Sequence, residues 1–183
     1  MKIVYLAAGI GQLKYKDVVY QDKFVERDIS GDMLEINLDP YDIIVATPPC
    51  NYYSRARGNR LSKYAEATKH LLPDILNILT LAEKPFIVEN VRNQKMFNDH
   101  GLSKFQCNMY VFGRHTYWSN IDIDFSNIYQ VENELNNKIV QSGVRKGKIG
   151  TFAPPSQRQG GINVYYVIEH FLNTVKEVTN NDR

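Results

Sequence analysis

The stretch Asp42–Arg60, DIIVATPPCNYYSRARGNR, limits the fold more than any other part of the chain. Its apolar run, Ile43–Ala46, is short, rich in β-branched residues and followed closely by two prolines, which is typical of a buried parallel strand. A proline lacks the N–H group that a central strand needs, so the strand must end at Thr47. Cys50 is therefore predicted at the carboxyl end of a strand, where open α/β sheets bind their ligands. Taken alone, Pro-Pro-Cys favours a small buried cysteine, because most free cysteines are of that kind.

The chain of 183 residues has the length of one domain, and its net charge is only +2. No apolar run is long enough to cross a membrane and no signal-peptide pattern is present at the start, which predicts a cytoplasmic protein. The two cysteines and four histidines show no disulfide framework and no metal-ligand spacing, so no metal site is expected. Basic residues crowd the stretch just after Cys50, which usually indicates only a solvated face but here lies beside a candidate nucleophile.

Two further strands end in residues suited to a nucleotide. The apolar run Lys2–Ala8 leads into Gly9–Gly11, where glycines allow a tight turn and a close approach to a ligand, although a simple turn explains the pattern equally well. A second strand, Asp17–Gln21, ends at Asp22, where nucleotide-binding sheets place the acid that holds the ribose hydroxyls. Asp32, in the next turn, is either an acceptor for an adenine amino group or an ordinary turn aspartate.

The rest of the chain alternates helical and strand patterns. Apolar residues at spacings of three and four predict a helix from Ser62, with a kink or break at Pro73. The strand Phe86–Val88 ends at Glu89-Asn90-Val91, so a second strand end carries a carboxylate. Later elements are two short strands and a final amphipathic helix, namely Tyr110–Phe112, Thr116–Trp118 and Ile162–Val175. The alternation predicts one α/β domain over residues 1–183, a mostly parallel twisted sheet with helices on both faces.

Several of these segments, taken in order, resemble the motifs of the cytosine-5 DNA methyltransferases. They are LAAGIG, GDM, TPPC, VENV and GRHTYWSN, and a weaker similarity follows in QRQGGINVYYVIEHF. PPC followed by ENV at this separation is fairly specific, whereas either motif alone is not. The resemblance covers most of residues 1–120. It implies a Rossmann-like S-adenosylmethionine-dependent methyltransferase fold and the transfer of a methyl group from that cofactor to C5 of cytosine in DNA.

The resemblance also implies roles for individual residues. Cys50 matches the nucleophile that adds to ring carbon C6 and so makes C5 reactive. Glu89 matches the acid that hydrogen-bonds or protonates the N3 side of the ring. The family's Arg-x-Arg pair falls on Gly113-Arg114-His115, so Arg114 is one arginine and His115 stands where the other is expected. The cofactor would lie along Leu6, Ala7, Gly9, Gly11, Asp22, Asp32 and Pro48, with Asp22 on the ribose and Asp32 on the adenine.

DNA is the implied partner. A base inside a duplex is out of reach of a nucleophile, so the basic loop would close over a flipped nucleotide and hold its phosphates through Arg55, Arg57, Arg60 and Lys63. The family's sequence-reading domain falls where this chain has only the irregular segment 121–153. Roughly 35 residues without disulfides cannot form a domain with its own core. DNA sequence is therefore read weakly by loops, read by a separate partner protein, or not read.

Three alternative functions are less well supported. A catalytically silent methyltransferase-fold protein that binds nucleic acid or a protein has no need for the Cys50 and Glu89 pair. An amino-group methyltransferase would carry an acid or amide before Pro-Pro and an aromatic residue after it, whereas Thr47 and Cys50 stand there. A dinucleotide-dependent oxidoreductase would carry a full GxGxxG motif and has no use for Pro-Pro-Cys.

Overall fold

The computed structural model describes residues 1–54, 63–100, 107–128 and 164–181. The chain forms two compact units, the first Met1–Tyr110 with Thr116–Asp122 and the second Val111–His115 with Ile123–Arg183. The strands are β1 Ile3–Leu6, β2 Val18–Asp22, β3 Ile29–Ser30, β4 Ile43–Ala46, β5 Phe86–Val91, β6 Asn108–Phe112 and β7 His115–Ser119. The helices are α1 Lys63–Ala67, α2 Leu71–Leu81, α3 Gln94–His100 and α4 Val164–Asn181, and Met33–Glu35 forms a 3-10 turn.

The seven strands form one sheet in the order β3-β2-β1-β4-β5-β7-β6. The pairs β3–β2, β2–β1, β1–β4 and β4–β5 are parallel. β6 and β7 are neighbours joined by two residues, Gly113 and Arg114, a connection that only antiparallel strands allow. The α/β fold with a mostly parallel sheet is thus confirmed. The extent of the single domain and of the segment 121–153 stays a prediction, and most of that segment lies outside the described residues.

β1 and β4 form the centre of the sheet and are buried along their whole length. A strand that is covered on both faces reads as a continuous apolar run, which is why IVYL and IIVA show no alternation of polar and apolar residues. The chain leaves β1 toward β2 on one side, and the later strands β4 and β5 lie on the other side. A ligand of such a sheet binds beyond the carboxyl ends of the strands at this point of reversal.

The predicted break near Pro73 is confirmed. α1 ends at Ala67, a turn follows, and α2 begins at Leu71, so Pro73 is the third residue of α2. Proline is tolerated there because N–H groups in the first helical turn have no partner within the helix. α2 buries Leu72, Ile75, Leu76 and Leu79, the spacing expected for the core-facing stripe of a helix. Ser62, where the helix was predicted to begin, lies outside the described residues.

The second unit contains α4, which the sequence placed at Ile162–Val175. The described part of the helix runs from Val164 to Asn181, and its buried residues are Val167, Ile168, Phe171, Leu172 and Val175. Phe125 packs against His170 of this helix with a ring separation of 5.3 Å, and the His170 ring nitrogen Nε2 lies 2.9 Å from the Asp124 carbonyl oxygen. Of the described helices, none is long and apolar enough to cross a membrane.

Candidate active site

The carboxyl ends of three central strands lie side by side. Leu6 of β1 pairs with Ala46 of β4, and Ala46 pairs with Val88 of β5. The residues that follow these three positions therefore lie next to one another at this edge of the sheet. They are the glycine turn Ala7–Gly11, the Thr47–Cys50 segment and the Glu89-Asn90 pair, which still belongs to β5 but extends past its pairing with β4. The register of the sheet thus brings together three of the motifs that the sequence singled out.

The glycine turn Ala7–Gly11 starts with a strained residue. Ala7 has φ +51°, a left-handed conformation that costs a residue with a side chain about 1–3 kcal/mol. Hydrogen bonds at both of its peptide groups hold it there: the Ala7 N–H donates to Gln21 Oε1 at 3.0 Å, and the Thr47 hydroxyl donates to the Ala7 carbonyl at 3.1 Å. Gly9 adopts φ +55°, which glycine accepts without that cost. The turn is therefore built to a fixed shape.

Asp22 and Arg27 fix the middle of the same turn. The Gly9 N–H donates to Asp22 Oδ2 at 2.8 Å, while Arg27 donates from Nε to the Gly9 carbonyl at 2.7 Å and from Nη2 to the Gly11 carbonyl at 3.2 Å. Burial alone would raise the pKa of Asp22, but backbone N–H donors and the Arg27 charge outweigh it and lower the pKa below its ordinary value. Asp22 is therefore an ionised, buried anchor of the turn.

A pocket opens beside this anchor. It encloses about 190 Å³, and its walls are Ala7, Gln21, Asp22, Lys23, Phe24, Asp32, Met33, Pro49, Ala67, Thr68 and Leu71. The walls therefore combine the carboxylates of Asp22 and Asp32 with apolar side chains such as Ala7, Met33 and Leu71. Phe24, a large aromatic residue of the wall, is 67% exposed. Aromatic rings can stack on other flat rings.

Asp32 lies at the pocket as the sequence suggested, but it has a neighbour that the sequence did not reveal. Lys23 Nζ is 2.9 Å from Asp32 Oδ2, and the Leu34 N–H donates to Asp32 Oδ1 at 3.1 Å. The bond from Lys23 is the main reason that the pKa of Asp32 is lowered. Asp32 is thus both the N-cap of the 3-10 turn and an ionised acceptor at the pocket wall.

The loop that carries Cys50 is held by side chains that follow Glu89 in the chain. Asn90, which is 2% exposed, donates from Nδ2 to the Pro48 carbonyl at 2.9 Å. Asn93 donates to the Tyr53 carbonyl at 2.6 Å, and Tyr53 donates from its hydroxyl to the Asp99 carboxylate at 3.1 Å. Cys50 is therefore held between Pro48 and Tyr53, which are both bonded to the β5–α3 region.

The second attachment of this loop comes from the break between α1 and α2. The Tyr52 N–H donates to the buried Thr68 hydroxyl at 3.1 Å, and that hydroxyl donates to the Ala65 carbonyl at 2.8 Å. The Tyr53 N–H and the Ser54 N–H both donate to the Cys50 carbonyl, at 3.1 Å and 2.9 Å. The thiol position is thus set by backbone geometry, which is a condition for a preorganised site.

Cys50 and Glu89 are close enough to affect each other. Burial raises the pKa of the Cys50 thiol, the Glu89 carboxylate raises it further, and a hydrogen bond from the Ser54 side chain opposes both effects. A negative neighbour disfavours a second negative charge, so the thiol is the resting form at neutral pH. The structure thus holds a protonated sulfur and a carboxylate together at the ends of β4 and β5.

Other predicted residues have different surroundings. Leu6 is fully buried in the core, and Pro48 is buried with its carbonyl bonded to Asn90. Among the described residues, the pocket walls do not include Gly9 and Gly11, whose N–H groups donate to Asp22 and to the Ala8 carbonyl. Arg114 and His115 belong to the second unit, where Arg114 is exposed and His115 is half-buried. Their roles stay predictions.

The predicted DNA contacts cannot be placed. Arg55, Arg57 and Arg60 lie outside the described residues, as does the side chain of Lys63, the first residue of α1. In the described ranges, no group of three or more histidine, cysteine, aspartate or glutamate side chains could hold a metal ion. Sequence reasoning missed Gln21, Lys23 and Arg27, although a glutamine next to Asp22 in a buried strand was a usable signal. No such signal pointed to Arg27, because it lies in a loop without apolar periodicity.

The structure thus combines a mostly parallel α/β sheet, a thiol and a carboxylate at adjacent strands, and a pocket lined by two acids. Comparison with protein families shows which family has this chain as a member. Residues 8–143, more than half of the chain, match the model of the C-5 cytosine-specific DNA methylases. The chain belongs to that family, which confirms the resemblance that the sequence motifs indicated. A comparison with curated proteins gave no match.

Proposed function

We propose that this chain transfers a methyl group from S-adenosylmethionine to C5 of cytosine in DNA through a covalent bond between Cys50 and C6. Family membership supports DNA cytosine methylation in general. The observation that carries the finer proposal is the position of Cys50 beside Glu89 and next to Pro49, which is part of the pocket wall. The Cys50 thiol, the Glu89 carboxylate and a pocket lined by two acids thus lie near one another in the first unit, which supports the proposal.

The pocket residues fit an adenosine cofactor. Asp22 is an ionised acceptor for a ribose hydroxyl, Asp32 is an ionised acceptor for an adenine amino group, and Phe24 adds an exposed aromatic side chain to the same pocket wall. The enclosed 190 Å³ is below the usual range of ligand cavities, about 300–1,000 Å³, so the cofactor would extend out of the pocket along the strand ends. When bound, S-adenosylmethionine supplies an electrophilic methyl group on its sulfonium.

Cys50 and Glu89 would activate the cytosine ring together. The Cys50 thiol gives its proton to the Glu89 carboxylate, Sγ forms a bond to C6, and the electron pair of the C5=C6 bond moves to C5. Glu89, now protonated, donates to the N3 side of the ring and so stabilises the developing charge. After C5 has taken the methyl group, the C5 proton passes to water, the C5–H electron pair re-forms the C5=C6 bond, and Sγ leaves C6 as a thiolate.

The raised pKa of Cys50 means that the thiol must lose its proton before it adds to C6. The Glu89 carboxylate contributes to that raised pKa, so it is close enough to act as the proton acceptor. Transfer of the thiol proton to Glu89 would remove the repulsion between carboxylate and thiolate and form the acid needed at N3 in the same step.

The rival proposal is a methyltransferase-fold protein that binds DNA without chemistry. The short segment 121–153 favours it, because a sequence-reading domain does not fit in that length. The preorganised Cys50 loop opposes it, because a binding protein does not need its thiol fixed between Asn90 and Asn93 partners. We therefore propose an enzyme that reads DNA sequence weakly through loops or with the help of a separate protein.

Methyl transfer from radiolabelled S-adenosylmethionine to DNA of mixed sequence tests the proposal. Nucleoside analysis should find the label in 5-methyl-2′-deoxycytidine, and the Cys50→Ser variant should transfer none. Label in an N4-methyl or N6-methyl nucleoside would exclude the covalent C5 mechanism. No transfer to single-stranded or double-stranded DNA, with cofactor binding intact, would support the binding protein instead.

A further inference from the structure

The Asp22 carboxylate is already largely occupied by the protein. Its Oδ1 accepts the Phe24 N–H at 2.8 Å and the Val25 N–H at 3.0 Å, and its Oδ2 accepts the Gly9 N–H at 2.8 Å. Each carboxylate oxygen has two lone pairs. Bonds within the described part of the chain therefore fill Oδ1 and half of Oδ2, which leaves one acceptor position for a ligand.

The carboxylate is not free to turn and offer more. All three donors are backbone N–H groups, and Asp22 is only 8% exposed. The Gly9 donor is itself held, because Arg27 bonds the carbonyls of Gly9 and Gly11. Rotation of the carboxylate toward the pocket would break three hydrogen bonds to part-buried backbone N–H groups, which is costly. Asp22 thus has the geometry of a turn anchor that has a single acceptor position left.

We infer that Asp22 binds one ribose hydroxyl of the cofactor and not the 2′,3′ pair. This inference rests on the proposed function, since it concerns how the same pocket recognises an adenosine group. Its consequence is a specificity: the site depends on one of the two hydroxyls and tolerates removal of the other. An acid with both oxygens free would instead bind the two hydroxyls together and lose affinity when either one is removed.

Binding of four ligands to the full wild-type chain tests this. They are S-adenosylhomocysteine, its 2′-deoxy and 3′-deoxy analogues and the 2′,3′-dideoxy analogue, measured by calorimetry. One single-deoxy analogue should bind about 10- to 100-fold more weakly, as expected for loss of a hydrogen bond to a charged group. The other should bind within about twofold of the parent, and the dideoxy analogue should match the weaker one.

The outcomes separate this inference from the proposed function. If both single-deoxy analogues lose affinity by similar large factors, or if neither loses any, the inference is wrong while the cofactor assignment stands. If S-adenosylhomocysteine does not bind at millimolar concentration, the proposed function fails and the inference fails with it. In the Asp22→Asn variant, checked for folding by circular dichroism, the sensitive hydroxyl should lose most of its effect. An undiminished effect there would assign the hydroxyl to another residue.

Discussion

The two ends of β5 differ in what their polar side chains do. At the amino end, Lys84 Nζ donates to the carbonyls of Leu38, Asp39 and Tyr41 at 2.6–2.8 Å. An ammonium group has three donors, so all of them are used. Asn120 similarly bonds the Lys84 carbonyl at 2.9 Å and the Phe86 N–H at 3.0 Å. The polar groups of this end are thus engaged in holding the backbone.

At the carboxyl end, β5 places the Glu89 carboxylate near the Cys50 thiol, next to Pro49 of the pocket wall. Asn90 donates from Nδ2 to the Pro48 carbonyl, whereas the neighbouring Glu89 raises the pKa of the Cys50 thiol. The comparison teaches that an amide at either end holds the backbone, whereas the carboxyl end also pairs a thiol with a carboxylate, and this pair is where we propose that the chemistry occurs. Substitutions at the carboxyl end should therefore affect activity most, and substitutions at the amino end should affect stability most.

The largest effect should come from Cys50→Ser. Serine keeps the shape of the side chain but its hydroxyl is a far weaker nucleophile than a thiolate, so methyl transfer should fall to background. Cofactor affinity should stay within about twofold, because Cys50 is not among the pocket walls. Cys107→Ser is the matched control, since Cys107 is also a partly buried thiol whose pKa is raised by burial. Measurable turnover in Cys50→Ser would contradict the mechanism.

Glu89→Gln should change two properties in opposite directions. The rate of methyl transfer should fall by about 10²–10⁴, because the acid at N3 is lost. Alkylation of Cys50 by iodoacetamide at pH 8 should become faster. The Glu89 carboxylate raises the pKa of the Cys50 thiol, so the removal of its charge lowers that pKa. A lower pKa increases the fraction of Cys50 that is thiolate at pH 8, and the thiolate is the form that iodoacetamide alkylates.

Mass spectrometry of the alkylated peptides gives the rate at each cysteine from pH 7 to pH 10. Cys107 is the internal control, because burial is the cause of its raised pKa and its rate should not change. Glu35→Gln, a substitution in the 3-10 turn, is the control for a general change in charge. A slower alkylation of Cys50 in Glu89→Gln would mean that the two groups do not interact as the structure indicates.

Asn90→Ala and Asn120→Ala compare the two ends of β5 directly. Each change removes a side chain that bonds backbone groups, so each should lower the free energy of unfolding by about 1–3 kcal/mol. Only Asn90→Ala releases the Cys50 loop, and a displacement of about 1 Å at a reacting group costs about 100-fold in rate. Urea unfolding and methyl-transfer rates of the folded protein check both effects. Equal rates in the two variants would remove the proposed distinction between the ends.

Lys84→Met should have the smallest effect on activity. The substitution removes the Lys84 donor from the Leu38, Asp39 and Tyr41 carbonyls, although the Tyr41 N–H still donates to Leu38, and should lower the free energy of unfolding by about 1–3 kcal/mol. The rate constant of methyl transfer should remain within about twofold under conditions where the variant is folded. A large loss of rate without a loss of stability would show that the amino end also influences the site.

Much of the fold could be predicted from local patterns. The apolar runs of β1 and β4 and the prolines after β4 fixed the strands, because burial on both faces and the missing N–H of proline are properties of single segments. Helix α3 was missed: its seven residues from Gln94 are too few for a clear apolar stripe, and its start depends on Asn93, whose Oδ1 accepts the Lys95 N–H at 2.9 Å.

The positions of the two proposed reactive residues could be predicted, but the side chains that support them could not. Motifs at strand ends pointed to Cys50 and Glu89, whose roles stay predictions. The Asn90 bond to Pro48 spans 42 positions, and the Arg27 bonds to Gly9 and Gly11 span 18 and 16, so no local pattern reveals them. The hydrogen bonds of Asp22 could not be predicted for the same reason. Its position at a strand end predicted a ribose acid, but the N–H donors that fill Oδ1 are visible only in the folded turn.

Covalent capture of the protein by DNA that contains 5-fluoro-2′-deoxycytidine tests the central claim most directly. If Cys50 Sγ adds to C6, the adduct formed after methyl transfer cannot break down, because the fluorine at C5 does not leave as a proton does. Wild-type protein with S-adenosylmethionine should give a stable protein–DNA conjugate, and peptide mass spectrometry should locate the attachment at Cys50. No conjugate with any DNA tested, in a preparation that binds the cofactor, or a conjugate attached at another residue, would contradict the account.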